Sequence, residues 1–83
     1  MERPIRVVVF RDGDLYIAQC IEVDIGAQGK SVDEAMKRVR IAINAESREA
    51  AANGKDLFDI GPAPSAFHAM FQSDIVDRVE LAA

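Results

Sequence analysis

The stretch Ser31-Val32-Asp33-Glu34, followed by apolar residues at spacings of three and four, constrains this chain more than any other feature. A serine three residues ahead of a glutamate forms a capping box. The Ser31 hydroxyl accepts from the backbone N–H of Glu34, and the Glu34 carboxylate accepts from the N–H of Ser31. Val32, Ala35, Met36, Val39, Ala42 and Ile43 then make one apolar stripe. A helix is therefore expected from Ser31 to about Ala50, with Asn53-Gly54 as its stop.

What precedes the helix reads as strands. Ile5 to Arg11 is β-branched and aromatic, Asp12-Gly13 is a hairpin signal of type I′, and Leu15 to Ile21 is the return strand. Glu22-Val23 is expected as a second tight turn, leading into a third strand from about Asp24 to Gln28. The three strands make an antiparallel meander. Further along, Gly61-Pro62-Ala63-Pro64 stiffens a connection, and Ser65 is expected to cap a short second helix bearing Phe67, Met70 and Phe71. Ile75 to Leu81 alternates in the manner of a fourth strand. The expected fold class is α+β: an antiparallel β-β-β-α core with a short second helix and a C-terminal strand, residues 1–83 forming one domain.

Register sorts the side chains. With Asp12-Gly13 as a two-residue turn, Val9 opposes Tyr16 and Val7 opposes Ala18. With Glu22-Val23 as the next, Cys20 opposes Ile25 and Ala18 opposes Ala27. One face then carries Val7, Val9, Ala18, Cys20, Ile25 and Ala27, small enough for the long helix to lie close. The other carries Val8, Phe10, Leu15 and Ile17, which are large and apolar. One helix covers one face, so these four residues are candidates for an oligomer interface, and a homodimer is expected through this face or through the sheet edge. Bare apolar patches of this kind mark interaction sites. Ile41 joins them, because it lies opposite the helix stripe and is expected to touch the C-terminal segment or another protomer. The short helix, folding back through Phe67, Met70 and Phe71, is the competing cover for that face.

The chemistry-bearing residues do not assemble into a site. Eighty-three residues contain one Cys and one His, so neither an internal disulfide nor a His/Cys metal set can form. Cys20 falls in an apolar run, where a thiol is structural rather than reactive. Asp12, Asp14, Glu22 and Asp24 belong to turns at opposite ends of the meander and lack the ligand spacing of a calcium loop. Gly-Lys-Ser at 29–31 is not a phosphate loop, since only two residues separate Gly26 from Gly29. No nucleophile and base are paired. The expectation is a non-enzyme, with no catalytic residue, no cofactor and no metal.

The formal charge of −4 is spread along the chain. Lys37, Arg38 and Arg40 splay around the helix, and Asp33 and Glu34 precede the first two by one turn. No basic face results, and autonomous nucleic-acid binding is not expected. Neither a signal peptide nor a membrane span is read in the sequence, which makes the cytoplasm the expected compartment. A chain this short buries only about 60–65% of its unfolded surface, so a second copy of itself is an expected source of further burial.

The segment from Leu15 to Met36 resembles the HicB-like family of small domains related to the antitoxins of toxin–antitoxin pairs. Ala18 and Cys20 near the end of the second strand, Gly29 closing the third, and Ser31, Glu34 and Ala35 opening the helix match the family pattern. The region from Gly61 to Phe71 is similar to a stand-alone branch that lacks a DNA-binding segment. Two departures stand beside the match. Ile21 to Gly26 replaces the Pro- and Cys-containing turn of antitoxin members, and the residues after Gly54 are too few and too acidic for an operator-binding segment. The resemblance implies a non-catalytic protein-interaction domain whose partner is a small, basic, RNA-cleaving toxin or another protein. The alternative is a homo-oligomeric structural or regulatory domain, a homodimer or higher, with no toxin.

Overall fold

Pro4–Asp12 forms β1 and Leu15–Cys20 forms β2, joined by a two-residue loop at Gly13-Asp14. The computed structural model describes residues 3–71 and 77–82, without the side chains of Met70 and Phe71. The hairpin turns one residue later than expected. Asp12 pairs with Leu15 and Val9 with Ala18, and only Gly13 takes a positive φ, of 61°. Glycine at the first loop position suits a type II′ turn, not the expected type I′ at Asp12-Gly13. The slip in pairing is two residues, which leaves every side chain on its expected face.

β3 is short, Gly26–Gly29, and pairs with β2 in the expected register, Ala18 opposite Ala27. The link before it is not the tight turn expected at Glu22-Val23. Ile21, Val23 and Ile25 are all buried. Ile21 N–H donates to the Arg6 carbonyl at 2.9 Å and Asp24 N–H to the Gly61 carbonyl at 2.8 Å, while the Ile21 carbonyl accepts from Ala63 N–H at 3.0 Å. A link whose side chains bury must satisfy its backbone polar groups within the protein. Here the Gly61–Ala63 segment does so.

The long helix α1 spans Val32–Ala52. Glu34 N–H donates to Ser31 Oγ at 3.0 Å, as the capping box requires, but the Glu34 carboxylate accepts from Lys30 N–H, not from that of Ser31. At the other end Gly54 N–H donates to the Ala51 carbonyl and Lys55 N–H to that of Ala50, with Gly54 at φ 67°. That pair of bonds is a Schellman stop. Ser31→Ala should lower stability by about 1 kcal/mol. An unchanged denaturant midpoint would show that this bond does not hold the helix start.

Leu57–Ile60 forms a 3₁₀ turn in which Asp56 and Asp59 cap each other's backbone. The second helix, α2, spans Ser65–Phe71. Ser65 therefore lies inside its first turn and not ahead of it, and Phe67 N–H donates to the Pro64 carbonyl. β4 spans Asp77–Ala82 and pairs antiparallel with β1. The expected start of that strand at Ile75-Val76 lies outside the described residues. Sheet order is β3-β2-β1-β4.

α1 lies on the small-residue face. Ile5, Val7, Val9, Ala18, Cys20 and Ile25 of the sheet side pack with Ala35, Met36, Val39 and Ile43 of the helix. Gly29 sits beneath the first turn, and a Cβ there would lie 2.6 Å from the Ala35 nitrogen. Only glycine lets strand and helix approach so closely.

Candidate interaction surface

The far side of the sheet is built by the residues that alternate with the core set. Pairing Phe10 with Ile17, Asp12 with Leu15 and Val8 with Gln19 puts Val8, Phe10, Leu15 and Ile17 together on this face, as read from the sequence. Their exposures differ. Val8 is fully buried within the single chain, whereas Phe10, Leu15 and Ile17 are each half-buried. Val8 is thus already covered, and the open apolar surface narrows to the other three. On the same face α2 approaches β1, the Phe67 ring lying 6.0 Å from that of Phe10 at a tilt of 34°. The stripe expected on α2 extends to Met70 and Phe71, whose side chains lie outside the described residues.

Polar groups rim this surface. Arg6, on the same face of β1, directs its Nε to Glu22 Oε2 at 2.6 Å, and its backbone N–H donates to Glu22 Oε1, also at 2.6 Å. Gln19 is buried, its amide donating to the Cys20 carbonyl at 3.1 Å and to Asp24 Oδ1 at 3.0 Å. These four residues bracket the 21–25 link from both sides. Sequence reading placed Glu22 and Asp24 at a solvated turn and missed this role. The available signal was Arg6 and Gln19, each a polar residue in an otherwise apolar strand.

Ile41 stands apart on the outer side of α1 and is 59% exposed. It is not brought together with Phe10, Leu15 and Ile17. Ile60, in the 3₁₀ turn, is also exposed.

The residues that could carry chemistry are engaged structurally. Cys20 is fully buried, and burial, helped by the nearby Glu22 charge, pushes its thiol from 9.0 up to about 12. A thiol that remains protonated is a poor nucleophile. His68 Nε2 lies 3.1 Å from the Ala63 carbonyl, a bond in which the ring N–H donates. Among the described residues no group of three or more His, Cys, Asp or Glu is placed to hold a metal ion. Nor is any helix among them long and apolar enough to cross a membrane.

The raised thiol has a pH consequence. Above about pH 9 the unfolded chain ionises Cys20 while the folded chain keeps its proton. The unfolded state then binds fewer protons, so stability falls as pH rises from 9 towards 12. Cys20→Ala should be less stable below pH 9 but should lose less stability over that window. Equal losses in the two proteins, read from denaturation midpoints below and above pH 9, would contradict the assignment.

Comparison of the chain with protein-family models, curated proteins and solved structures returns no match.

Proposed function

We propose that this chain is a non-catalytic protein-interaction domain of the HicB-like kind, antitoxin-like in its mode of action. It works by binding a small, basic, RNA-cleaving toxin through the sheet face opposite α1. The observation that carries this reading is the contrast between the two faces of one sheet. Ile5, Val7, Val9, Ala18 and Cys20 are buried on the helix-side face, while the large residues Phe10, Leu15 and Ile17 remain half-buried on the other. Large apolar groups inside a polar rim are the composition of a docking surface. The net charge of −4 suits a basic partner. Cys20 and His68 have structural occupations, which fits a role in binding rather than in bond-making.

A second reading keeps the surface and changes the occupant. A domain this small gains proportionally from any further burial, and a second copy is a source of it. In that reading the chain is a homo-oligomeric structural or regulatory domain with no toxin, and the exposed Ile41 supplies an additional contact.

Affinity purification from the native host separates the two. The first reading expects a short basic protein whose RNA-cleaving activity is silent in the complex and appears once the two are separated. Recovery of further copies of the chain alone selects the second reading. Recovery of the chain as a lone monomer contradicts both.

A further inference from the structure

The residues that stop α1 also carry a chemical liability. Asn53 is followed by Gly54, and glycine, lacking a Cβ, leaves its own peptide nitrogen open to approach. That nitrogen can attack Asn53 Cγ. A bond forms between the Gly54 nitrogen and Cγ, the Cγ–Nδ2 bond breaks, and ammonia leaves carrying the proton of the Gly54 N–H. One water then opens the succinimide ring that results. Attack at one carbonyl gives aspartate at position 53. Attack at the other gives isoaspartate, whose main chain runs through the side-chain carbon.

The folded stop holds the reacting groups apart. Gly54 N–H donates to the Ala51 carbonyl at 3.1 Å and Asn53 Nδ2 to the Glu49 carbonyl at 2.9 Å, so nucleophile and leaving group are both tied to α1. Ring closure needs the Gly54 nitrogen nearly to eclipse Cβ about the Cα–C bond, roughly 120° of rotation from the ψ of 10° that Asn53 adopts. Turning ψ that far breaks the Gly54 and Lys55 bonds to Ala51 and Ala50. Asn53 and Gly54 are both exposed, so conformation restrains the reaction, not a lack of water.

The product fits this place badly. An aspartate at position 53 loses the Nδ2 donor to Glu49 and adds negative charge at a helix C-terminus, where the macrodipole disfavours it. The last turn of α1 holds no basic residue. Glu46, Glu49, Asp56 and Asp59 line the hollow beside Asn53, with Lys55 the one base among its described lining residues. Isoaspartate lengthens the main chain by a carbon and displaces the Gly54 and Lys55 amides from their acceptors.

We propose that Asn53-Gly54 is a conformationally gated deamidation site. It is closed while the last turn of α1 is formed and reactive when that turn opens, and its product keeps the turn open. The modification is a covalent record of how often this end of α1 comes apart. It does not depend on the partner proposed above.

Mass spectrometry of the full chain tests the gate. Trypsin releases residues 49–55 as one peptide and residues 41–48, which carry Asn44-Ala45, as an internal comparison. At one pH and temperature, Asn53 should convert from amide to acid roughly tenfold or more slowly in the folded chain than in guanidinium chloride. Ala51→Gly loosens an exposed position of the last turn and should raise the folded rate about fivefold, the helix cost of a glycine. Asn44 should stay unreacted in both folded proteins. Asn53→Asp carries the charge of the product from the start and should speed hydrogen exchange at the Gly54 and Lys55 amides. Equal rates in folded and denatured chain overturn the proposal, as does a folded rate that Ala51→Gly leaves unchanged. Unchanged exchange in Asn53→Asp overturns the claim that the product holds the turn open.

Discussion

Gly29→Ala should lower the unfolding free energy by about 2–3 kcal/mol, the upper part of the range for forcing atoms into a filled space. A Cβ at this position meets the Ala35 nitrogen at 2.6 Å, Glu34 Cγ at 2.8 Å and the Glu34 carbonyl carbon at 2.9 Å. Two of the three are backbone atoms of the first helical turn, which cannot swing aside as a side-chain terminus can. Relief requires α1 to lift from β3, and that movement strains the Ser31 and Lys30 bonds to Glu34 together. Gly13→Ala is the control. Its Cβ meets nothing within 4 Å, so its cost comes from the positive φ alone, about 1 kcal/mol. Chemical denaturation of the two variants side by side checks the order. Equal losses would mean that the strand and helix are not in close contact at Gly29.

The second large effect is expected at Ile21. It is fully buried, and its backbone joins β1 at Arg6 and the Gly61–Ala63 segment at Ala63. Ile21→Ala removes three carbons from a closed site and should cost about 2–5 kcal/mol, depending on how far the site collapses. The neighbouring Val23 and Ala63 are also buried, so the loss should extend beyond β2. Hydrogen exchange should accelerate at the Asp24 and Ala63 amides, which donate to Gly61 and Ile21 respectively. A loss below about 1 kcal/mol, the size expected of a surface change, would place Ile21 outside the core.

The parts of this fold that repeat locally were legible in the sequence. The helix declared itself through the cap at Ser31, the stripe from Val32 to Ile43 and the stop at Asn53-Gly54. The two sheet faces followed from a period of two and survived a misplaced turn, because the slip was two residues. The 21–25 link was not legible. Glu22 and Val23 have turn-compatible neighbours, and nothing nearby announces that Glu22 pairs with Arg6 or that Asp24 is held by Gly61. Those partners are distant along the chain, and a local pattern carries no information about them.

The same limit applies to the surface. Sequence alternation grouped Val8 with Phe10, Leu15 and Ile17 correctly, and the pairing of the strands keeps them on one face. It could not say that Val8 is closed over while its three neighbours stay half open. Nor could it say that α2 comes to rest with Phe67 beside Phe10. The angle of Ile41 on the helix set it opposite the apolar stripe, and within the single chain it is 59% exposed rather than covered.

The binding surface we propose is the sheet face opposite α1. The most direct test is parallel affinity purification with wild type, Phe10→Asp and Leu15→Lys as baits, each first shown to be folded by its unfolding transition. Both variants should lose the partner that the wild type retains. Retention of that partner by folded variants at wild-type levels would contradict it.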